Sequence, residues 1–121
     1  MSGSVLIVDD DPAFQNLAGR LLADCGLAVA GMVDTAGAAI EAAGRLRPDA
    51  VLVDVGLPDG DGIALARELA ALPWGPRILL TSSNADAAGP SEVRRSRAEG
   101  FIPKSQLPKA ALDRILGARS A

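Results

Sequence analysis

The sequence predicts an α/β fold, a doubly wound sheet of five parallel strands in the order 2-1-3-4-5. Three observations predict it. Short apolar runs alternate with amphipathic stretches along the chain, which is the mark of strand–helix–strand units. The strongest runs, such as Val5-Leu6-Ile7-Val8, are continuously apolar, as strands covered on both faces are. The first, third and fourth runs are strong, the second is diluted by alanine and the fifth is short. The strong runs therefore belong in the centre and the weak ones at the edges.

The elements follow in order. After the first run come Asp9-Asp10-Asp11 and Pro12, then Phe14, Leu17, Ala18, Leu21, Leu22 and Cys25 at helical spacing. Asp11 suits the N-cap, Pro12 the first helical position and Gly26 the C′ position. Cys25 falls on the apolar face and is read as a core residue. A weaker run spans Leu27 to Val33. Thr35 to about Leu46 reads as a second helix, capped by Asp34 or Thr35. Ala50-Val51-Leu52-Val53 forms the third strand and ends at Asp54. A turn-rich stretch from Gly56 to Gly62 leads to a helix carrying Leu65, Ala66, Leu69 and Leu72. Asp59 and Asp61 are expected turn residues there, with Asp61 a candidate cap. Ile78-Leu79-Leu80 is the fourth strand and ends at Thr81. Asn84 to Glu99 is poorly patterned and broken by Gly89-Pro90. Gly100-Phe101-Ile102 is the fifth strand, and a last helix runs through Leu112, Ile115 and Leu116. Trp74 follows Pro73 in a loop and reads as a packing or surface residue.

Composition narrows the function classes. The chain has 121 residues, fewer than the ~150 typical of one domain. We expect a single domain over 1–121. Apolar types make up 49% and aromatics only 2%, so alanine-rich helices must pack close to the sheet. There is no histidine, which excludes Ser-His-Asp and Cys-His catalysis, His-ligated zinc and a phosphohistidine carrier. One cysteine excludes an internal disulfide framework and points to the cytoplasm. The net charge of −3 gives no support for nucleic acid binding, and the only basic cluster, Arg94, Arg95 and Arg97, reads as a solvated helix face. No apolar run approaches a membrane span, and the N-terminus lacks a signal peptide's pattern.

In open sheets of this kind, ligands bind beyond the carboxyl ends of the strands. The first strand ends in Asp9 and Asp10, the third in Asp54 and the fourth in Thr81. The fifth leads to Lys104, just beyond Pro103. Taken singly, each has an ordinary explanation: a solvated turn carboxylate, a strand-end hydroxyl, a surface ammonium. Their conjunction at one kind of strand end does not. Three convergent carboxylates repel one another unless a cation sits among them, and hard oxygen ligands suit Mg²⁺ or Mn²⁺. A hydroxyl and an ammonium opposite suit an anion with several oxygens, such as a phosphoryl group.

With these residues in place, the chain resembles the receiver domain of bacterial two-component response regulators, the CheY-like branch of the flavodoxin-like folds. The resemblance is carried by Val5 to Pro12, Asp54 to Gly62, Leu80-Thr81-Ser82 and Gly100-Phe101-Ile102-Pro103-Lys104, in order and at the family's spacing. It implies that Asp54 accepts a phosphoryl group. It implies that Asp10 binds Mg²⁺ directly, that Asp9 holds metal-bound water and that the Gly56 carbonyl is a further ligand. Thr81 would hydrogen-bond the phosphoryl group. Lys104 would pair with Asp54 before phosphorylation and with a phosphoryl oxygen afterwards. Phe101 would be the switch aromatic, without the hydroxyl of the commoner tyrosine. Ser105 stands after Lys104 where many relatives have proline.

The function implied is a phosphorylation-controlled signalling switch rather than a turnover enzyme. Its phosphodonor would be a histidine kinase or a histidine phosphotransfer protein. Its output would pass through the fourth helix, fifth strand and fifth helix to another protein, and a phosphorylation-dependent homodimer would be a further partner. The competing readings are a phosphorylation-independent docking module, an aspartate-nucleophile phosphohydrolase and the receiver piece of a longer transcription regulator. The phosphohydrolase pattern Asp-x-Asp-x-Thr is not met by Asp9-Asp10-Asp11-Pro12-Ala13.

Overall fold

The structure, a computed structural model, describes residues 3–84 and 87–107. Five parallel strands form one sheet: β1 (Ser4–Val8), β2 (Ala28–Val33), β3 (Ala50–Asp54), β4 (Arg77–Ser82) and β5 (Gly100–Pro103). Their order is β2-β1-β3-β4-β5, so the three most apolar runs are central and the weak runs are edges, as the sequence predicts. Val5, Leu6, Ile7 and Val8 pair with Ala50, Val51, Leu52 and Val53, and Asp54 pairs with Thr81. Four helices connect the strands: α1 (Pro12–Asp24), α2 (Ala36–Leu46), α3 (Gly62–Ala70) and α4 (Pro90–Ser96). The helix expected through Leu112, Ile115 and Leu116 lies outside the described residues.

Neighbouring strand residues feed opposite layers, because strand side chains alternate between faces. Val5, Ile7, Leu52 and Leu79 pack with Phe14, Ala18 and Leu22 of α1. Leu6, Val8, Val51, Val53 and Leu80 pack with α2 and α3 on the other face. On α2 that contact is made by Ala39, Ala42 and Ala43, all buried. Small side chains let the helix approach the sheet closely, so the core fills with few aromatics. Leu17, expected on the buried face of α1, is exposed instead. The buried stripe runs through Phe14, Ala18, Gly19 and Leu22.

The helix ends follow local chemistry. The Asp11 carboxylate accepts from the Ala13 N–H, and Pro12 opens α1 where its missing N–H costs nothing. Gly26 has φ of 79°, and the Gly26 and Leu27 N–H groups donate to Ala23 and Leu22 carbonyls. That is a Schellman end, with Leu22 and Leu27 in one apolar cluster. Cys25 is the C-cap and is only half-buried, so its expected core role is not observed. It stands one residue past the end of α1, outside the regular helical spacing. Thr35, not Asp34, caps α2 by accepting from Ala38 N–H, and Asp61 caps α3 by accepting from Ile63 N–H. Among its described residues, the poorly patterned stretch contains one short helix, α4. It begins at Pro90, and Glu92 accepts from the Gly89 N–H.

Candidate functional site

The site lies at the carboxyl ends of β1, β3 and β4. Asp9 and Asp54 are buried and Asp10 is exposed. One carboxylate oxygen from each of the three lies within 4.8 Å of the others. Strand order explains the convergence, because β1 and β3 are adjacent and both end in aspartate. Gly56, exposed in the β3–α3 loop, donates its N–H to Asp54 Oδ1 at 3.1 Å.

Lys104, in the 3₁₀ turn Lys104–Gln106, brings the counter-charge. Its Nζ lies 2.8 Å from Asp9 Oδ2 and 3.6 Å from Asp54 Oδ2. The resemblance implies a pairing with Asp54, and the closer partner is Asp9. Burial disfavours the Asp9 carboxylate and pushes its pKa up. The hydrogen bonds from Lys104 and from the Asp11 N–H oppose that without cancelling it. Burial also works against the Lys104 charge. Here the hydrogen bond to Asp9 and the charges of Asp9 and Asp54 outweigh it, so the Lys104 pKa is raised.

Thr81 is completely buried, and its Oγ1 has no hydrogen-bond partner among the described residues. An unpaired buried hydroxyl is costly, and this one is free to bond a polar group at the strand end. Phe101, on β5, is half-buried and packs against the α2–α3 layer, as Val93 and Ala98 also do. The structure thus brings Asp9, Asp10, Asp54 and Lys104 together. It sets Thr81 opposite Asp54 in the strand pairing and Gly56 two residues beyond it, and it leaves Phe101 on the neighbouring strand.

Three residues at or near the site are not evident in the sequence. Gln15 donates its side-chain amide to the Asp9 carbonyl at 2.6 Å and to the Val33 carbonyl at 3.4 Å. It thereby fixes the end of β1, whose Asp9 N–H also donates to Val33. Phe14 places its ring 4.5 Å from the Lys104 ammonium. Asp59 accepts from the Ala36 and Gly37 N–H groups, at 2.7 and 3.3 Å, and ties the β3–α3 loop to the start of α2. The one usable signal was an aromatic in the first turn of α1, in a chain with only two phenylalanines and a tryptophan.

The donor set fits a small hard cation. Three carboxylates within 4.8 Å are only partly balanced by one ammonium, and oxygen donors with space for water suit Mg²⁺.

The fold and this arrangement define a receiver, and the comparisons with known proteins agree. Residues 5–116 match the response regulator receiver domain, so the chain belongs to that family. It is 27% identical over 115 residues to the chemotaxis protein CheY of Thermotoga maritima, covering 95% of this chain and 96% of that one. It is 39% identical over 111 residues to protein-glutamate methylesterase/protein-glutamine glutaminase 2 of Anaeromyxobacter dehalogenans, covering 90% of this chain and 31% of that one. A solved CheY-like receiver domain from Methylobacillus flagellatus superposes with a TM-score of 0.84 at 27% identity, covering 98% of each chain. The chain spans 30% to 49% of the length of the first three curated relatives it matches.

Proposed function

We propose that residues 1–121 act as one receiver unit, a cytoplasmic switch that accepts a phosphoryl group on Asp54. The observation that carries this reading is the pairing of two carboxylates, Asp9 and Asp54, with one lysine at the ends of adjacent strands. Asp54 is the nucleophile. One of its carboxylate oxygens forms a bond to phosphorus as the bond to the donor's imidazole nitrogen breaks, and that nitrogen keeps the electron pair. The donor is the phosphohistidine of a kinase or phosphotransfer protein, which is why this chain needs no histidine of its own. Asp10, Asp9, Asp54 and the Gly56 carbonyl would hold Mg²⁺. When bound, that ion neutralises charge on the carboxylates and on the phosphoryl oxygens.

Lys104 contributes the second positive charge and shifts from Asp9 toward a phosphoryl oxygen. Thr81 supplies its unpaired hydroxyl to another. Positioning and electrostatics account for the reaction, and the chain is a switch that modifies itself rather than a turnover enzyme. The added charge draws Thr81 and Lys104 into a new arrangement. That change biases the surface of α4 and β5, including Phe101, which an output protein or a second phosphorylated copy reads.

The test is intact-protein mass after incubation with acetyl phosphate and Mg²⁺, alongside Asp54→Ala and a chelated sample. A single phosphoryl adduct that requires both Asp54 and the metal supports the reading. No adduct with acetyl phosphate or phosphoramidate would reject it in favour of a phosphorylation-independent docking module.

A further inference from the structure

The reading of Lys104 as a partner of the phosphoryl group leaves open what aims its ammonium. A lysine head on a flexible four-carbon stem has many rotamers and is strongly hydrated. Here it is drawn in from water on one side by Asp9 at 2.8 Å and Asp54 at 3.6 Å. On another side lies the ring of Phe14, with its centroid 4.5 Å from Nζ. Phe14 is 6% exposed and locked in the core layer under α1, so the ring is a fixed surface. An aromatic face attracts a cation through its quadrupole at this distance.

We propose that Phe14 is a positioning residue for Lys104, and this rests on the phosphotransfer reading above. The ring stabilises the ammonium on the side it covers, yet it offers no directional acceptor. Lys104 is thus held beside the acidic cluster while its hydrogen bond stays transferable, from Asp9 to an arriving oxygen. A polar side chain in place of Phe14 would compete for that hydrogen bond. An aliphatic one would leave the ammonium without a partner on that side.

The experiment compares wild type, Phe14→Leu and Phe14→Tyr, with Phe14→Met as a second ring-free variant should leucine fold poorly. The first readout is the NMR shift of the Lys104 Hε protons in the unphosphorylated, metal-free protein. The expected result is an upfield ring-current shift in wild type and Phe14→Tyr that disappears in Phe14→Leu. The second readout is the maximal rate of phosphorylation by acetyl phosphate, expected to fall about three- to tenfold in Phe14→Leu and to recover in Phe14→Tyr. The Mg²⁺ concentration giving half the maximal rate should be unchanged. Unshifted Lys104 protons in wild type, or equal rates in Phe14→Leu, would overturn the proposal. A wild type that takes no phosphoryl group removes the functional reading instead, and the Lys104 shifts still decide whether Phe14 holds the ammonium.

Discussion

The Asp59 carboxylate, in the loop after β3, accepts the Ala36 backbone N–H at the first turn of α2, 2.7 Å away. A carboxylate suits that end of a helix, where unpaired N–H groups and the helix dipole present positive charge. The contact joins the loop carrying Asp54's neighbours to a helix 23 residues earlier in the chain.

The hydrogen bond from Ala36 is the main reason that the Asp59 pKa is lowered from its ordinary 3.8. A lowered folded value means that its stabilisation is complete above the unfolded value and is lost as pH falls through the folded one. Asp59→Asn should therefore lower the urea midpoint near neutral pH, and the two proteins should converge in strong acid. A constant difference across the titration would show that the charge contributes nothing.

Gly62 opens α3 against the backbone of Asp54. A Cβ there would overlap the Asp54 carbonyl oxygen and lie 2.6 Å from Val55 Cα, and neither atom can move aside cheaply. Gly62→Ala should cost about 1–3 kcal/mol in urea unfolding, as overpacking does. It should also displace Asp54, measured as weaker Mg²⁺ binding.

Thr81 offers a test that separates stability from function. Its buried hydroxyl has no partner among the described residues, so Thr81→Val keeps the shape and removes an uncompensated polar group. We expect unfolding free energy to rise by about 1 kcal/mol. Phosphorylation by acetyl phosphate should slow by at least about tenfold, because a donor to the phosphoryl group is lost. Loss of stability on this substitution would mean that the hydroxyl has a partner in solution.

Asp10 is exposed, unlike Asp9 and Asp54. Asp10→Asn should leave metal-free stability within about 0.5 kcal/mol of wild type. Mg²⁺ at roughly a hundredfold above its Kd should stabilise wild type by about 2.7 kcal/mol. The variant should lose most of that gain, which thermal unfolding with and without the ion will show.

The sheet order was legible because burial on both faces forces continuous apolar runs, and run strength ranks centre against edge. Asp54, Thr81 and Lys104 were legible for a related reason: each polar residue interrupts or follows a run at the strand end where such sheets bind ligands. What pairs with what was not legible. The bonds from Gln15 to Val33 and from Ala36 to Asp59 span 18 and 23 residues and leave no periodic trace. The preference of Lys104 for Asp9 over Asp54 is a difference between 2.8 and 3.6 Å, too small for sequence spacing to carry. Leu17 and Cys25 differ the other way: apolar spacing places both inward, yet the buried stripe runs through Phe14, Ala18, Gly19 and Leu22 and leaves Leu17 exposed and Cys25 half-buried.

Trp74 is the chain's one tryptophan, and it sits at the far end of the sheet from Asp54. Its indole N–H donates to the Pro48 carbonyl at 2.8 Å, and the Arg47 guanidinium lies 4.5 Å from its ring. It joins the α2–β3 and α3–β4 connections, and roughly a strand's length of about 17 Å separates it from the acidic cluster. The protein consequently carries a single indole fluorophore that touches none of the carboxylates and whose emission should follow the loss of the α2–β3 and α3–β4 connections on unfolding.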